Sequence, residues 1–184
     1  MPPPSPRAAL VEHALGYWLV AATRCFGVAM ADLLAAHCAE RGKTYVITPP
    51  QWGVIAQLSF QDRQTIGELA RRLGVDGPAI TNLVKRLELI GLTRRVRSQA
   101  DERIVAVWLT DEAHDLLRSL APVVEDFQEQ ALPGGARDRL VESLQFLIAR
   151  LSRIAPAATQ RDRFDVLRDL IRQQLTQPEG DSTP

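Results

Sequence analysis

Cysteine is scarce in this 184-residue sequence. The two present, Cys25 and Cys38, form no CxxC pair. That excludes a disulfide framework and fits a reducing compartment, so the expected location is the cytoplasm. The histidines number only 3, and His13, His37 and His114 are spread too widely to suggest a zinc site. Net charge is absent too: 22 basic residues balance 22 acidic ones, so the total points to no partner. A long unbroken apolar run is lacking as well. The most apolar stretch, Leu15 to Ala36, is interrupted by Arg24 and Asp32 and reads as a buried helix rather than a membrane span. The opening MPPPSPRAAL is proline-rich and has no apolar core of the kind a signal peptide needs. Neither a nucleophile–base pair, a glycine-rich phosphate loop nor a metal cluster stands out. The reading is therefore of a protein that is not an enzyme and takes no metal or cofactor.

What the sequence does have is helical periodicity, with 46% apolar residues to build a core. From about residue 8 to 41 there is no proline, and Val11, Leu15, Trp18, Leu19, Ala22, Phe26, Ala29 and Leu33 recur at helical spacing. Such a helix is ~50 Å long, more than one small domain can cover, so part of its face is expected to meet another subunit. Two capping boxes follow. Thr48 with Gln51 opens one short helix, and Thr65 with Glu68 opens the next, which Gly74 ends. Asp76 or Gly77 caps a third helix, with Pro78 in its first turn and Gly91 past its end. LTRRVR, a polar turn and RIVAVWL then read as a β-hairpin. Thr110 opens a long helix to about Leu132, Pro133-Gly134-Gly135 breaks it, and another helix runs from about Arg137 to Ile154. FDVLRDLIRQQL, at 164–175, has the pattern of a final amphipathic helix.

Charge is distributed unevenly along this framework. Residues 45–110 carry 9 basic and 6 acidic side chains, leaving the remainder with the opposite excess. On the third short helix Ile80, Leu83, Val84, Leu87 and Ile90 form an apolar stripe, while Pro78, Thr81, Asn82, Lys85 and Leu89 face the other way and Arg86 lies on the flank. A capped helix, a short turn and a second helix with an apolar back and a Thr/Asn/Lys front have the layout of a helix-turn-helix. Asn and Lys can hydrogen-bond base edges, and Thr offers a hydroxyl or a methyl. The hairpin is then a wing. Its segment RRVRSQADER places Arg94, Arg95, Arg97, Ser98, Asp101 and Arg103 where phosphates and the minor groove would lie. The three strand arginines are expected to alternate faces, so that only some reach DNA. Asp101 can align the Arg103 guanidinium in a fork, a reason for a carboxylate to face DNA.

At ITPPQWGVIAQL, TIGELARRLGVDGPAITNLVKRLELIGLTRR and ADERIVAVWLTDEAHDLL the sequence resembles the multiple-antibiotic-resistance regulators, the MarR family of bacterial transcription factors. The resemblance runs from roughly Ala14 to Arg153. Asp101-Glu102-Arg103 matches the family's wing signature, Leu109-Thr110 its Leu-Thr before the following helix, and Arg94 its arginine after Gly91-Leu92. Gly77-Pro78 and the chain beyond Pro156 depart from the usual pattern. The resemblance implies a mainly α winged helix-turn-helix with a small β-hairpin wing and long N- and C-terminal dimerisation helices. It also implies a homodimer, often a repressor, that binds pseudo-palindromic operator DNA and is released by a small aromatic ligand or by thiol oxidation.

The expected organisation is a disordered arm at 1–7, a dimerisation helix at 8–44, a DNA-binding lobe at 45–110, dimerisation helices at 111–155, and an extension with a disordered tail at 156–184. The expected DNA-contacting set is Thr65, with Pro78, Thr81, Asn82, Lys85 and Arg86 of the third helix and the six wing residues above. A pocket for an aromatic acid needs aromatic walls and a cation, for which Tyr17, Trp18 and Trp52 with His13 and Arg24 are the candidates. No membrane partner is expected. Three alternatives stand beside this reading: a switch through Cys25 or Cys38, a metal-responsive regulator of the same fold, and a helical interaction module that holds an acidic protein. Thiol-sensing family members carry their cysteine nearer the start of the first helix, about where Gly16 and Tyr17 stand.

Overall fold

The structure is a computed structural model that describes residues 14–97 and 105–154. The chain divides into two compact units, before and after the Pro49–Pro50 bond.

The first unit carries α1 (Leu15–Glu40). Ala14 is its N-cap, with extended backbone at φ −77° and ψ 93° and no capping side chain, so the helix starts at Leu15 rather than near residue 8. Left-handed Gly42 follows its C-terminus, with its N–H donating to the Ala39 carbonyl at 2.9 Å. The expectation that this apolar stretch is buried is corrected. Met30, Leu34, His37 and Cys38 are buried, but Leu15, Tyr17, Trp18, Val20, Phe26 and Val28 are exposed. The reason is their placement: at 100° per residue these six are spread around the helix, so the single chain does not cover them. By length and composition alone, α1 is able to cross a membrane.

Helix α2 (Pro49–Phe60), which lies in the second unit from Pro50 on, buries Gln51, Val54, Ile55 and Leu58. A two-residue strand, β1 (Gln64–Thr65), leads into α3 (Ile66–Leu73). The Thr65–Glu68 capping box forms as read. Glu68 N–H donates to Thr65 Oγ1 at 3.2 Å, and Thr65 N–H donates to Glu68 Oε2 at 2.7 Å. Left-handed Gly74 closes α3. Asp76 then caps α4 (Gly77–Leu89), accepting from Ala79 N–H at 2.8 Å, and Pro78 sits in the first turn, where no intrahelical N–H is needed. Ile80, Val84 and Leu87 are buried, as the helical wheel requires.

Strands β2 (Thr93–Arg97) and β3 (Val105–Leu109) pair antiparallel, Arg94 opposite Trp108 and Arg95 opposite Val107. β1 adds to the far side of β3, with Gln64 opposite Val107, which makes the strand order β1-β3-β2. This third strand is absent from the sequence reading, because two polar-starting residues carry no alternation to detect. Thr110 joins the lobe to α5 (Asp111–Ala131). Its hydroxyl accepts from Ala113 N–H at 3.3 Å and donates to the Gly91 carbonyl at 2.6 Å. After left-handed Gly134 and Gly135, α6 (Ala136–Ile154) completes the described chain. An Arg137–Glu125 ion pair ties α6 to α5. Leu140, Val141, Phe146, Leu151 and Ile154 of α6 are all exposed. The expected arm at 1–7 and extension at 156–184 lie outside the described residues.

Candidate nucleic-acid interface

Helices α3 and α4 pack on each other across the short turn at Val75 and Asp76. Because Ile80, Val84 and Leu87 are turned into the core, α4 presents Pro78, Asn82, Lys85, Arg86 and Leu89 to solvent. Leu89, 86% exposed, is an apolar contribution to an otherwise polar face. Asn82 and Lys85 stand about one helical turn apart, on the side of α4 opposite its buried residues. Thr81 is half-buried, and its hydroxyl donates to the Gly77 carbonyl at 2.8 Å, which commits its proton within the helix. Thr65 is likewise occupied. Its hydroxyl is shared between Glu68 N–H and Glu68 Oε2, the latter at 2.9 Å. These bonds, from the Thr65 backbone first and its side chain second, hold the Glu68 carboxyl below its usual pKa.

The wing strand departs from simple alternation. Arg94, Arg95 and Arg97 are all exposed, so burial does not separate them. Their partners do. Arg95 Nε lies 3.3 Å from Glu88 Oε2 on α4, so its charge is spent in fixing the wing strand to that helix. Arg94 instead lies against Trp108, its guanidinium carbon 5.3 Å from the ring centroid. Ser98, Asp101 and Arg103 lie outside the described residues, as does His13.

Of the proposed ligand-binding side chains, Tyr17, Trp18 and Arg24 are exposed on α1, where the Tyr17 and Trp18 rings meet edge to face at 5.3 Å. Trp52 is half-buried on α2 in the other unit. The two thiols differ: Cys25 is exposed and Cys38 buried. Among the described residues no group of three His, Cys, Asp or Glu side chains is placed to hold a metal ion.

Sequence reasoning missed two residues near the wing. Arg63 stacks its guanidinium carbon 4.2 Å from the Trp108 centroid, and Trp108 receives it on a strand otherwise read only as apolar. The available signal was compositional, an arginine just before a capping box and a tryptophan just before Leu109-Thr110, but their meeting depends on strand order.

A capped helix pair, an exposed Asn/Lys face and a β-hairpin over the end of the second helix together define a winged helix-turn-helix, the class of DNA-binding domain found here. A model described as the MarR family matches residues 47–105, which lie within this lobe. The transcriptional regulator TtmR of Methylorubrum extorquens is 35% identical over 106 residues, which cover 58% of this chain and 50% of TtmR. The match thus spans half the length of that relative. A MarR-family regulator from Silicibacter pomeroyi superposes with a TM-score of 0.63 at 24% identity, over 84% of this chain and 97% of its own. BpsR of Bordetella bronchiseptica superposes with a TM-score of 0.59 at 19% identity, over 72% of this chain and 91% of its own. These structural likenesses carry the fold alone.

Proposed function

We propose that the chain is a MarR-type repressor that binds a pseudo-palindromic operator as a homodimer and is released by a small aromatic acid. The observation that carries the DNA-binding part is the α4 surface. A solvent-facing Asn82/Lys85 pair stands on a helix whose opposite side is buried, next to a hairpin rich in arginine. Dimerisation is supported by apolar surface that the single chain leaves open at both ends of its sequence. Trp18, Val20, Phe26 and Val28 on α1, and Phe146, Leu151 and Ile154 on α6, are too many large apolar side chains to leave in water. A second copy covering them also accounts for the apolar character of α1 without a membrane.

The effector class is read from α1 and from a structural neighbour. Tyr17 and Trp18 offer aromatic contact area and Arg24 a cation on the same helix. The DNA binding of BpsR is regulated by 6-hydroxynicotinic acid, itself a hydroxylated aromatic acid. The test selects duplexes from a random-sequence pool with the full-length protein and footprints the winners. Two half-sites about one helical turn apart, occupied by a dimer, are expected. A single unrepeated site occupied by monomer overturns the proposal.

A further inference from the structure

Arg94 and Arg95 are neighbours in sequence, yet their charges meet different fates. Glu88 neutralises Arg95. Arg94 has an indole instead of a carboxylate, and it pairs with that residue, Trp108, directly across the β2–β3 ladder. Arg63 reaches the same indole from the other flank of β3. It immediately precedes Gln64, whose partner in β3 is Val107, so the order β1-β3-β2 brings Arg63, Trp108 and Arg94 into one row. An aromatic face orients a guanidinium without cancelling its charge, whereas a carboxylate cancels it. Both arginines are exposed, and among the described residues neither forms an ion pair.

The backbone supports the same placement. Arg63 is the one non-glycine residue with positive φ among the described residues, at 64°. Side chains other than glycine adopt that region uncommonly, and where they do the surroundings hold them there. Here Asp62 Oδ1 accepts from Arg63 N–H at 3.0 Å and from Leu109 N–H at 3.4 Å, which anchors the turn to β3 beside Trp108. Two planar, fully charged forks are thus fixed on one small sheet, in the lobe that carries the recognition helix. A planar fork with no carboxylate of its own suits a phosphate oxygen pair.

We propose that Arg63 and Arg94, presented by Trp108, form an additional phosphate-contacting patch for the DNA backbone, apart from α4 and the wing tip. Trp108 is a positioning residue in this patch. The inference rests on the DNA-binding reading above. The experiment measures binding of the full-length protein to a duplex it has selected from a random pool, across a salt series. Removing one phosphate-neutralising cation lowers the slope of log K against log salt by about one. Arg63→Asn and Arg94→Gln are each expected to show that reduction. Asn is chosen at position 63 because it tolerates left-handed backbone and spares the fold. Arg118→Gln on α5, an exposed arginine paired with Asp115, is expected to keep the wild-type slope.

Trp108→Leu is expected to lower the slope although both arginines are still present, and Trp108→Phe, which retains an aromatic face, to restore most of it. Thermal unfolding of each variant separates this from loss of fold, and the two arginine variants decide the matter even if Trp108→Leu does not fold. Wild-type slopes in both Arg63→Asn and Arg94→Gln overturn the patch alone. Failure of the wild-type protein to enrich any duplex overturns the DNA-binding reading, and the patch with it.

Discussion

At Thr65 a hydroxyl that sequence reading offers to DNA is engaged in the fold, which makes it a residue for stability first. Replacing an N-cap Thr by Ala costs about 0.5–2 kcal/mol. Thr65→Ala is therefore expected to lower the urea midpoint by that equivalent, with Thr65→Ser close to wild type. The Glu68 carboxyl supplies the other half of the box, and its pKa is lowered by the Thr65 bonds. A lowered folded-state pKa means that the contribution is complete above the ordinary carboxylate value and is lost as pH falls through the lowered one. The stability gap between wild type and Glu68→Gln is thus expected to be widest near neutral pH and to close in strong acid. A gap that persists unchanged at acid pH contradicts the assignment. On the exposed side of α4 the roles divide differently. Asn82→Ala is expected to cost about 1–3 kcal/mol at one operator position, read from a panel of single-base variants. Uniform loss across the panel moves Asn82 to the backbone-contacting class.

At the scale of elements, the outcome depends on the range over which each signal acts. The caps at Thr65, Asp76 and Thr110 were legible because a capping oxygen and the N–H that donates to it lie three residues apart, and the structure forms all three. The buried stripe of α4 was legible for the same reason, a periodicity local to one helix. β1, the Arg63–Trp108–Arg94 row and the Arg95–Glu88 pair were not, because each depends on which strand or helix lies beside which. The start of α1 also escaped, since alanine at position 14 gives no capping signal in the sequence. Exposure of α1 and α6 makes the interface testable by element. Phe146 is 69% exposed, so Phe146→Asp removes apolar surface without disturbing a packed core. If α6 joins two copies, this variant is expected to sediment as a monomer with an unchanged helical spectrum and to lose operator binding. A variant that stays dimeric with full affinity places the interface elsewhere.

The whole molecule is expected to act as a switch only if dimer geometry and DNA geometry are coupled. Two recognition helices on one dimer bind successive major grooves when their separation matches about one helical turn, ~34 Å. An effector needs no contact with DNA to prevent this. It must bind the mismatched arrangement more tightly, and each ~1.4 kcal/mol of that preference changes the operator affinity about tenfold. Linkage then fixes a second observable, because operator DNA has to weaken effector binding by the same factor. Titration of hydroxylated aromatic acids into the free and operator-bound dimer measures both sides. Tryptophan fluorescence suits the free-protein arm, with Trp18 exposed on α1 and Trp52 half-buried on α2. Equal reciprocal shifts are expected for a true effector, and Arg24→Gln is expected to weaken binding of the acids more than of neutral analogues. A compound that releases DNA yet binds both forms equally rules out this coupling. If every aromatic acid fails, exposed Cys25 becomes the next switch to test, by operator binding before and after alkylation.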